Sequence, residues 1–329
     1  MSALRRVLKG ALVALAALAL AGVLLALYGP REPVARGPAF DPAVIGADID
    51  AYLAGREARF TDITSGTEKH VLWAGEPGAR TGWAVVYLHG FSATSQEIRP
   101  VPDRLAEGLG ANLYFARLAG HGRGGAALAE ARVAAWWRDA EEALAIGRRL
   151  GDRVLVLATS TGATLAALAT TEPDLANKID ALVFVSPNFR VQNPAAALLT
   201  LPYARRWVPL IAGAERSFAA QNDAHARYWT TRYPTEALVP MAAMVAEARA
   251  RDYSALALPA FFTFSDADQV VDPAAARLVA GRWGGPVTVA PRRMGMGDDP
   301  FAHVIAGDIL SPGQTGPMVA EILDWVAGL

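Results

Sequence analysis

The chain has 329 residues, of which 53% are hydrophobic and 19% charged, with a formal net charge of −1. This composition excludes a disordered chain, and a near-neutral sequence without a long basic run argues against a nucleic-acid partner. The absence of cysteine excludes disulfides, thiolate metal sites, a cysteine nucleophile and a lipid anchor on cysteine.

The first predicted element is the uncharged apolar stretch of residues 10–28. As a helix it would be about 28 Å long, which matches the hydrocarbon core of a bilayer. Arg5, Arg6 and Lys9 precede it, so we expect residues 1–29 to form an uncleaved signal anchor with the rest of the chain beyond the membrane. A cleaved signal peptide, which would give a secreted protein, and a buried core helix are the alternatives.

The Ala, Arg and Gly bias of the chain is typical of a GC-rich bacterial genome. The predicted location is therefore a bacterial inner membrane, crossed once, with the globular domain on the periplasmic side. Residues 30–40 are more polar and contain proline, which predicts a short stiff linker.

From about residue 41, apolar runs alternate with helical patterns. Strands are predicted at residues 83–88, 112–115, 153–157, 179–185, 259–264 and 287–289. Helices are predicted at residues 102–108, 126–150, 163–169, 273–279 and 319–326. This alternation is typical of an α/β fold with a mostly parallel sheet flanked by helices, in which ligands bind beyond the carboxyl ends of the strands.

Residues 189–256 interrupt the alternation, because they contain helical patterns but no apolar β-run. Such a length is too great for a plain loop. We predict a helical cap over the carboxyl edge of the sheet, so that the α/β core comprises residues 41–188 and 257–329. The many aromatic residues of this segment could form the interior of the cap or line an apolar substrate pocket.

The strand predicted at residues 153–157 runs into Ala158-Thr159-Ser160-Thr161-Gly162 and then into a helix. Strand, sharp turn with a central serine, and helix is the layout of a nucleophile elbow. It would expose the Ser160 hydroxyl at the end of the strand and point the first helical N–H groups at the same place. The alternative is a turn in which Ser or Thr only caps the helix.

A serine nucleophile needs a base, usually a histidine oriented by a carboxylate. His303 follows the last predicted strand and is our candidate base. The loop after the strand that follows the cap offers three carboxylates, and we choose Asp268 at its apex. Asp266 is the next candidate, and Asp272 is predicted to cap the following helix.

His89-Gly90-Phe91 ends the first central strand. Glycine at this position lets the backbone approach a substrate closely. We expect the N–H groups of Phe91 and Thr161 to form an oxyanion hole, and His89 to orient this loop rather than to titrate.

Gly120-His121-Gly122-Arg123-Gly124 forms a glycine-rich turn after the next strand. A phosphate cradle is disfavoured, because no Lys-Ser or Lys-Thr pair follows these glycines. His70 and His225 have no partner pattern and are interpreted as surface or core histidines.

Together these motifs resemble the α/β-hydrolase superfamily, in particular small bacterial serine esterases and monoacylglycerol-lipase-like enzymes. The resemblance covers roughly residues 70–329 and is carried by His89-Gly90-Phe91, Gly120-His121-Gly122, Ala158–Gly162, Asp268 with Val270-Val271, and His303. It implies that Ser160 is the nucleophile, His303 the base and then the acid, and Asp268 its orienting partner, without a metal or organic cofactor. Ala158 stands where this family usually has glycine.

The predicted function is a membrane-anchored serine hydrolase that cleaves small acyl esters, including lipid-derived ones, through an acyl-enzyme. Acyl transfer, thioester cleavage and peptide cleavage by the same triad are alternatives, as is a non-catalytic binding protein with this fold.

Overall fold

The computed structural model describes residues 2–329, with side chains from residue 4 onward. Its α-helices are α1 (Ser2–Tyr28), α2 (Ile49–Glu57), α3 (Val101–Leu109), α4 (Gly125–Glu130), α5 (Val133–Leu150), α6 (Thr161–Thr170), α7 (Pro173–Ala176), α8 (Ala204–Ala212), α9 (Asp223–Tyr228), α10 (Leu238–Ala250), α11 (Pro273–Ala280) and α12 (Pro312–Ala327). Its strands are β1 (His70–Leu72), β2 (Thr81–Leu88), β3 (Asn112–Phe115), β4 (Gly151–Thr159), β5 (Ala181–Val185), β6 (Glu215–Ser217), β7 (Arg232–Pro234), β8 (Ala260–Ser265) and β9 (Val287–Arg292). Short 3₁₀ helices lie at Pro42–Ile45, Pro194–Thr200 and Thr235–Ala237.

The main sheet has the strand order β1-β3-β2-β4-β5-β8-β9. Strand β1 is antiparallel to β3, and the other neighbours are parallel. The central strands are near-continuous apolar runs because helices cover both of their faces. The predicted mostly parallel α/β architecture is confirmed, and all six predicted strands are present, β3 with the predicted bounds and the other five with shifted ends.

Alternate side chains of β2 enter the two halves of the core. Val86 and Leu88 pack in the layer that contains α5 and α6, whereas Val85 and Tyr87 pack in the layer that contains α3 and α12. This two-sided burial follows from the alternation of side chains along a strand. It fixes the register of the sheet and hence the positions at which the strands end.

The prediction of a single helix at residues 126–150 is wrong, because the structure has two helices there, α4 and α5. Arg132 between them is extended, and its guanidinium donates hydrogen bonds to the carbonyl oxygens of Ala129, Glu130 and Ala131 at 3.0, 2.8 and 2.9 Å. These bonds satisfy carbonyls that α4 leaves without helical partners. The side chain thus stabilises the break.

The segment between β5 and β8 contains α8, α9 and α10, and we call residues 189–256 the cap. Helices were predicted here, but the antiparallel pair β6–β7 was not. Each of its strands has three residues and neither is an apolar run. The cap contacts the loop after β2, since Thr230 N–H donates to Ser92 O at 2.7 Å. It therefore covers the carboxyl edge of the sheet.

Helix α1 is exposed over its described length, so it is not a buried core helix. The residues that follow it pack on the folded body. Trp137 Nε1 donates to Val34 O at 3.0 Å, and Arg36 pairs with Glu141 at 2.6 Å and Asp174 at 2.9 Å. The segment predicted as a linker is therefore fixed to the domain by hydrogen bonds and ion pairs.

A buried ion cluster lies beside the sheet, where Lys69 Nζ contacts Asp139 at 2.8 Å and also contacts Glu142. Lys69→Met would leave the buried Asp139 without a cation and Glu142 with only Arg56, 3.6 Å away. We expect it to lower the free energy of unfolding by about 3–5 kcal/mol, measured by denaturant unfolding of the full chain in detergent micelles.

The control for this variant is Arg232→Met, which breaks an exposed pair with Glu215 and should cost at most about 1 kcal/mol. Equal effects of the two substitutions would contradict a structural role for the Lys69 cluster.

Candidate active site

Ser160 occupies a sharp turn between β4 and α6, with φ 50° and ψ −113°. Positive φ is strained for serine, and the turn is held because Ser160 N–H donates to Val185 O at 2.9 Å. A Cβ on Gly162 would lie 2.4 Å from Leu88 O. Glycine is therefore required there for the helix to pass close to β2, as expected for a nucleophile elbow.

The three residues proposed from the sequence as a triad form one continuous hydrogen-bonded line. Ser160 Oγ lies 3.1 Å from His303 Nε2, and His303 Nδ1 lies 2.8 Å from Asp268 Oδ2. The second oxygen of Asp268 accepts the N–H groups of Val270 and Val271 at 2.8 and 2.9 Å. This geometry would allow the serine proton to pass to the imidazole while the carboxylate fixes the tautomer.

The other two candidate carboxylates of this loop lie elsewhere. Asp266 pairs with Arg277 at the surface at 2.7 Å. Asp272 is the N-cap of α11 and accepts the N–H of Ala274 at 2.9 Å, as predicted. Neither forms a hydrogen bond with His303.

The sequence interpretation missed Asp299, which organises the loop that carries His303. Its carboxylate accepts the N–H groups of Phe301, His303 and Val304 at 3.1, 3.1 and 2.9 Å. The Asp299-Pro300 dipeptide favours a turn and was an available signal. Ser186 Oγ completes the support by donating to His303 O at 2.7 Å.

The electrostatic environment of His303 favours its protonated form. Burial opposes the charge, but the nearby carboxylates of Asp268, Glu97 and Asp299 outweigh it and raise the pKa of His303 above the ordinary histidine value. Such a shift strengthens the imidazole as a base for the serine proton.

The two N–H groups predicted to form the oxyanion hole belong to residues that line the same cavity as Ser160. Thr161 is the first residue of α6, so its N–H has no acceptor within the helix. Hydrogen bonds of His89 and Gly90 fix the backbone that precedes Phe91. Gly90 N–H donates to Glu97 at 2.7 Å, and the His89 ring bonds Gly90 O at 2.9 Å and the N–H of Leu118 at 3.1 Å.

His89 is buried, and burial lowers its pKa well below the ordinary value. The His121 ring of the glycine-rich turn lies 4.9 Å from the His89 ring and 5.8 Å from the Phe91 ring. The glycine-rich turn therefore packs against the loop after β2 through the His121 ring. His70 is half-buried and stacks on Phe115.

The sequence interpretation also missed two cavity residues. His225 is buried in the cap, where its ring lies 4.7 Å from that of Trp229. Glu97 is buried beside Ser160, and a Cβ on Gly90 would contact both side chains. Burial raises the pKa of Glu97 to about 7.

A cavity of about 790 Å³ opens above Ser160 and is enclosed by the core and the cap. Its walls are mostly apolar and include Leu199, Trp207 and Met241. The volume lies within the range of about 300–1,000 Å³ that is usual for small-molecule sites. Among the residues with described side chains, no three His, Asp or Glu groups are arranged to hold a metal ion.

Comparisons with known proteins agree with this fold. A family model described as Hydrolase_4, serine aminopeptidase, S33, matches residues 79–288, whereas no curated protein matches the chain. A metagenome-derived lipolytic enzyme has a similar structure with a TM-score of 0.66 and 18% identity, covering 81% of this chain and all of the other. Monoglyceride lipase of Saccharomyces cerevisiae has a TM-score of 0.56 and 12% identity, and the match covers 79% of this chain and 92% of the other. Monoacylglycerol lipase of Paleococcus ferrophilus has a TM-score of 0.54 and 17% identity, and the match covers 79% of this chain and 98% of the other. These likenesses confirm the predicted α/β-hydrolase fold.

The environment of His303 leads to a prediction for Glu97→Gln. Glutamine removes the charge but keeps an oxygen for the Gly90 N–H, so the loop should be retained. Because the Glu97 carboxylate raises the pKa of His303, we expect that pKa to fall in the variant. It can be measured by NMR titration of the full chain labelled with ¹⁵N-histidine.

The matched control is Glu107→Gln, at an exposed position of α3, which should leave the titration of His303 unchanged. A His303 pKa that is the same in Glu97→Gln and in the unmodified chain would contradict the electrostatic coupling.

Proposed function

This chain belongs to the Hydrolase_4 family, and from that premise we propose that it hydrolyses carboxylic esters with Ser160, His303 and Asp268 as its triad. Membership makes it a serine hydrolase with a lipase- and esterase-like fold. The observation that carries the proposal is the line of hydrogen bonds from Asp268 to Ser160, which ends at the floor of an apolar cavity.

In the proposed reaction, Ser160 Oγ attacks the ester carbonyl carbon while its proton passes to His303 Nε2. The negative charge that develops on the carbonyl oxygen is stabilised by the N–H groups of Phe91 and Thr161. The intermediate collapses when the alcohol leaves with the proton from His303. A water molecule, deprotonated by His303, then attacks the acyl-serine, and the acid leaves as Ser160 regains its proton.

The cavity favours esters with an apolar acyl group. The mostly apolar walls above Ser160 would bury an alkyl chain and gain about 0.8 kcal/mol per methylene. Lipid-derived esters are therefore the proposed substrate class. Acyl transfer to another acceptor would use the same triad, and added alcohols in a product assay distinguish the two outcomes.

Aminopeptidase activity is a second candidate. The family description names it, and two carboxylates, Glu97 and Asp299, line the cavity and could attract a substrate ammonium. Asp299 already accepts a hydrogen bond from Gln221 Nε2 at 3.0 Å in addition to its backbone donors. We therefore favour esters, and comparison of aminoacyl p-nitroanilides with p-nitrophenyl esters decides between them.

We also propose that α1 anchors the enzyme in a membrane. It is long and apolar enough to span a bilayer, and none of its apolar window is buried against the domain. Arg5, Arg6 and Lys9 support a cytoplasmic N-terminus. The domain would then lie on the extracytoplasmic side of a single-pass inner-membrane protein, and a cleaved signal would release it instead.

Ser160→Ala removes the nucleophile with little change in volume. We expect the hydrolysis of p-nitrophenyl esters to fall at least ~10⁴-fold while the fold is retained. In the unmodified chain, kcat/KM should rise roughly fourfold at most for each added methylene until the cavity is filled. A series of acyl chain lengths measured in detergent micelles tests both expectations.

Ser254→Ala is the control, since Ser254 is exposed and does not line the cavity, and it should keep full activity. Full activity of Ser160→Ala would contradict the proposed nucleophile.

A further inference from the structure

The cap carries an exposed apolar surface next to the end of α1. We infer that this surface, formed by Leu198, Leu201, Tyr203, Leu210 and Ile211, docks on the bilayer that holds α1, so that the cavity opens toward lipid. We call these five residues the docking face. The inference deepens the proposed function and rests on its assignment of α1 as a membrane anchor.

The chain that leaves α1 is bonded directly to the cap. Tyr203 N–H donates to Pro30 O at 3.0 Å, and Arg31 donates to Thr200 O at 2.8 Å. Arg205 binds the carboxylate of Glu32 through two hydrogen bonds of 2.6 and 2.7 Å. Helix α1 ends at Tyr28, two residues before the first of these contacts.

Two residues of extended chain span at most about 7 Å. The start of α8 is therefore held next to the point where α1 would leave the membrane, because Tyr203, the residue before α8, is bonded to Pro30. The Glu32 side chain is only 5% exposed, so its pair with Arg205 is shielded from water and resists screening by salt. These contacts place the cap, rather than the opposite side of the domain, next to the bilayer surface.

The composition of the docking face is that of a membrane interface. Leu210 is 83% and Ile211 70% exposed, and Leu198, Leu201 and Tyr203 are also exposed. Positions 206 and 210 share one side of α8 because of the helical period, and Tyr203 directly precedes this helix. The Arg206 guanidinium lies 5.4 Å from the Tyr203 ring. Tyrosine and arginine are residues that lie at headgroup level while leucine enters the acyl region.

The docking face is continuous with the mouth of the cavity. Leu198 and Ile211 are exposed and also line the cavity above Ser160. Phe218, Val270 and Phe301 share both properties. An ester with one acyl chain could therefore move from the outer acyl region of the bilayer to Ser160 along an apolar path. The predicted substrates are esters that reside in the membrane in which the enzyme is anchored.

The absence of cysteine from the chain permits a direct test with single labels. Leu210→Cys is labelled with an environment-sensitive fluorophore in the full chain, which is then reconstituted into phosphatidylcholine vesicles. We expect a blue shift and strong quenching by lipids that carry a quencher on the acyl chain. Ser160 need not be active for this measurement, so its result is independent of the proposed ester hydrolysis.

Leu278→Cys is the matched control, because Leu278 is 67% exposed on α11 and lies outside the cavity and the docking face. Its label should stay in water and escape the lipid quencher. Equal, weak quenching at the two positions would overturn the inference. A blue shift at position 210 that grows with protein concentration and does not respond to the lipid quencher would also overturn it, since it indicates contact between two copies.

A second variant tests the consequence for substrate entry. Leu210→Asp puts a charge on the docking face, at an exposed residue that does not line the cavity. The variant remains anchored by α1. We expect kcat/KM for a single-chain glycerol ester carried in the vesicles to fall about tenfold, with no change for soluble p-nitrophenyl butyrate.

Equal rates for the two proteins on the vesicle-borne ester would contradict entry from the bilayer. If the unmodified chain hydrolyses neither substrate, the ester-hydrolase proposal fails, whereas the fluorescence result still decides the docking.

Discussion

The hydrogen bond between Asp268 and His303 is the contact on which the proposed site depends. It joins residues 35 positions apart in sequence, and the same imidazole reaches Ser160 at the end of β4. The sheet makes this possible because parallel strands end at one edge, and its register is fixed by burial on both faces. Backbone N–H groups then hold the Asp268 carboxylate, so the acceptor is in place before any substrate binds.

The carboxylates of Glu97 and Asp299 near the His303 imidazole lie on loops rather than on strands. Asp299 folds the loop of His303 through three backbone N–H groups, and Glu97 holds Gly90 at the entrance to the proposed oxyanion hole. Both carboxylates also raise the pKa of His303. Residues that shape the backbone thus also set the basicity of the group that would accept the serine proton. This coupling links the geometry of the site to its chemistry.

Much of the architecture was predictable because apolar runs report burial directly. The six predicted strands are four to nine residues long in the structure, whereas β1, β6 and β7 have three residues each, too few to give a clear apolar run. The break at Arg132 could not be seen, because it depends on contacts of one side chain with the end of α4. The position of Ser160 followed from a local motif. The roles of Glu97 and Asp299 did not, since a polar residue in a loop acquires its partners only when distant segments meet.

The contacts of Pro30, Arg31 and Glu32 with the cap connect the proposed anchor to the entrance of the proposed site. The account depends throughout on Ser160 being activated by His303, and covalent trapping tests that most directly. A fluorophosphonate reacts with an activated serine by losing fluoride, and intact mass with peptide mapping locates the adduct. The account predicts a single adduct on Ser160 that is lost in His303→Ala. An adduct on another residue, or a folded chain that remains unlabelled, would contradict it.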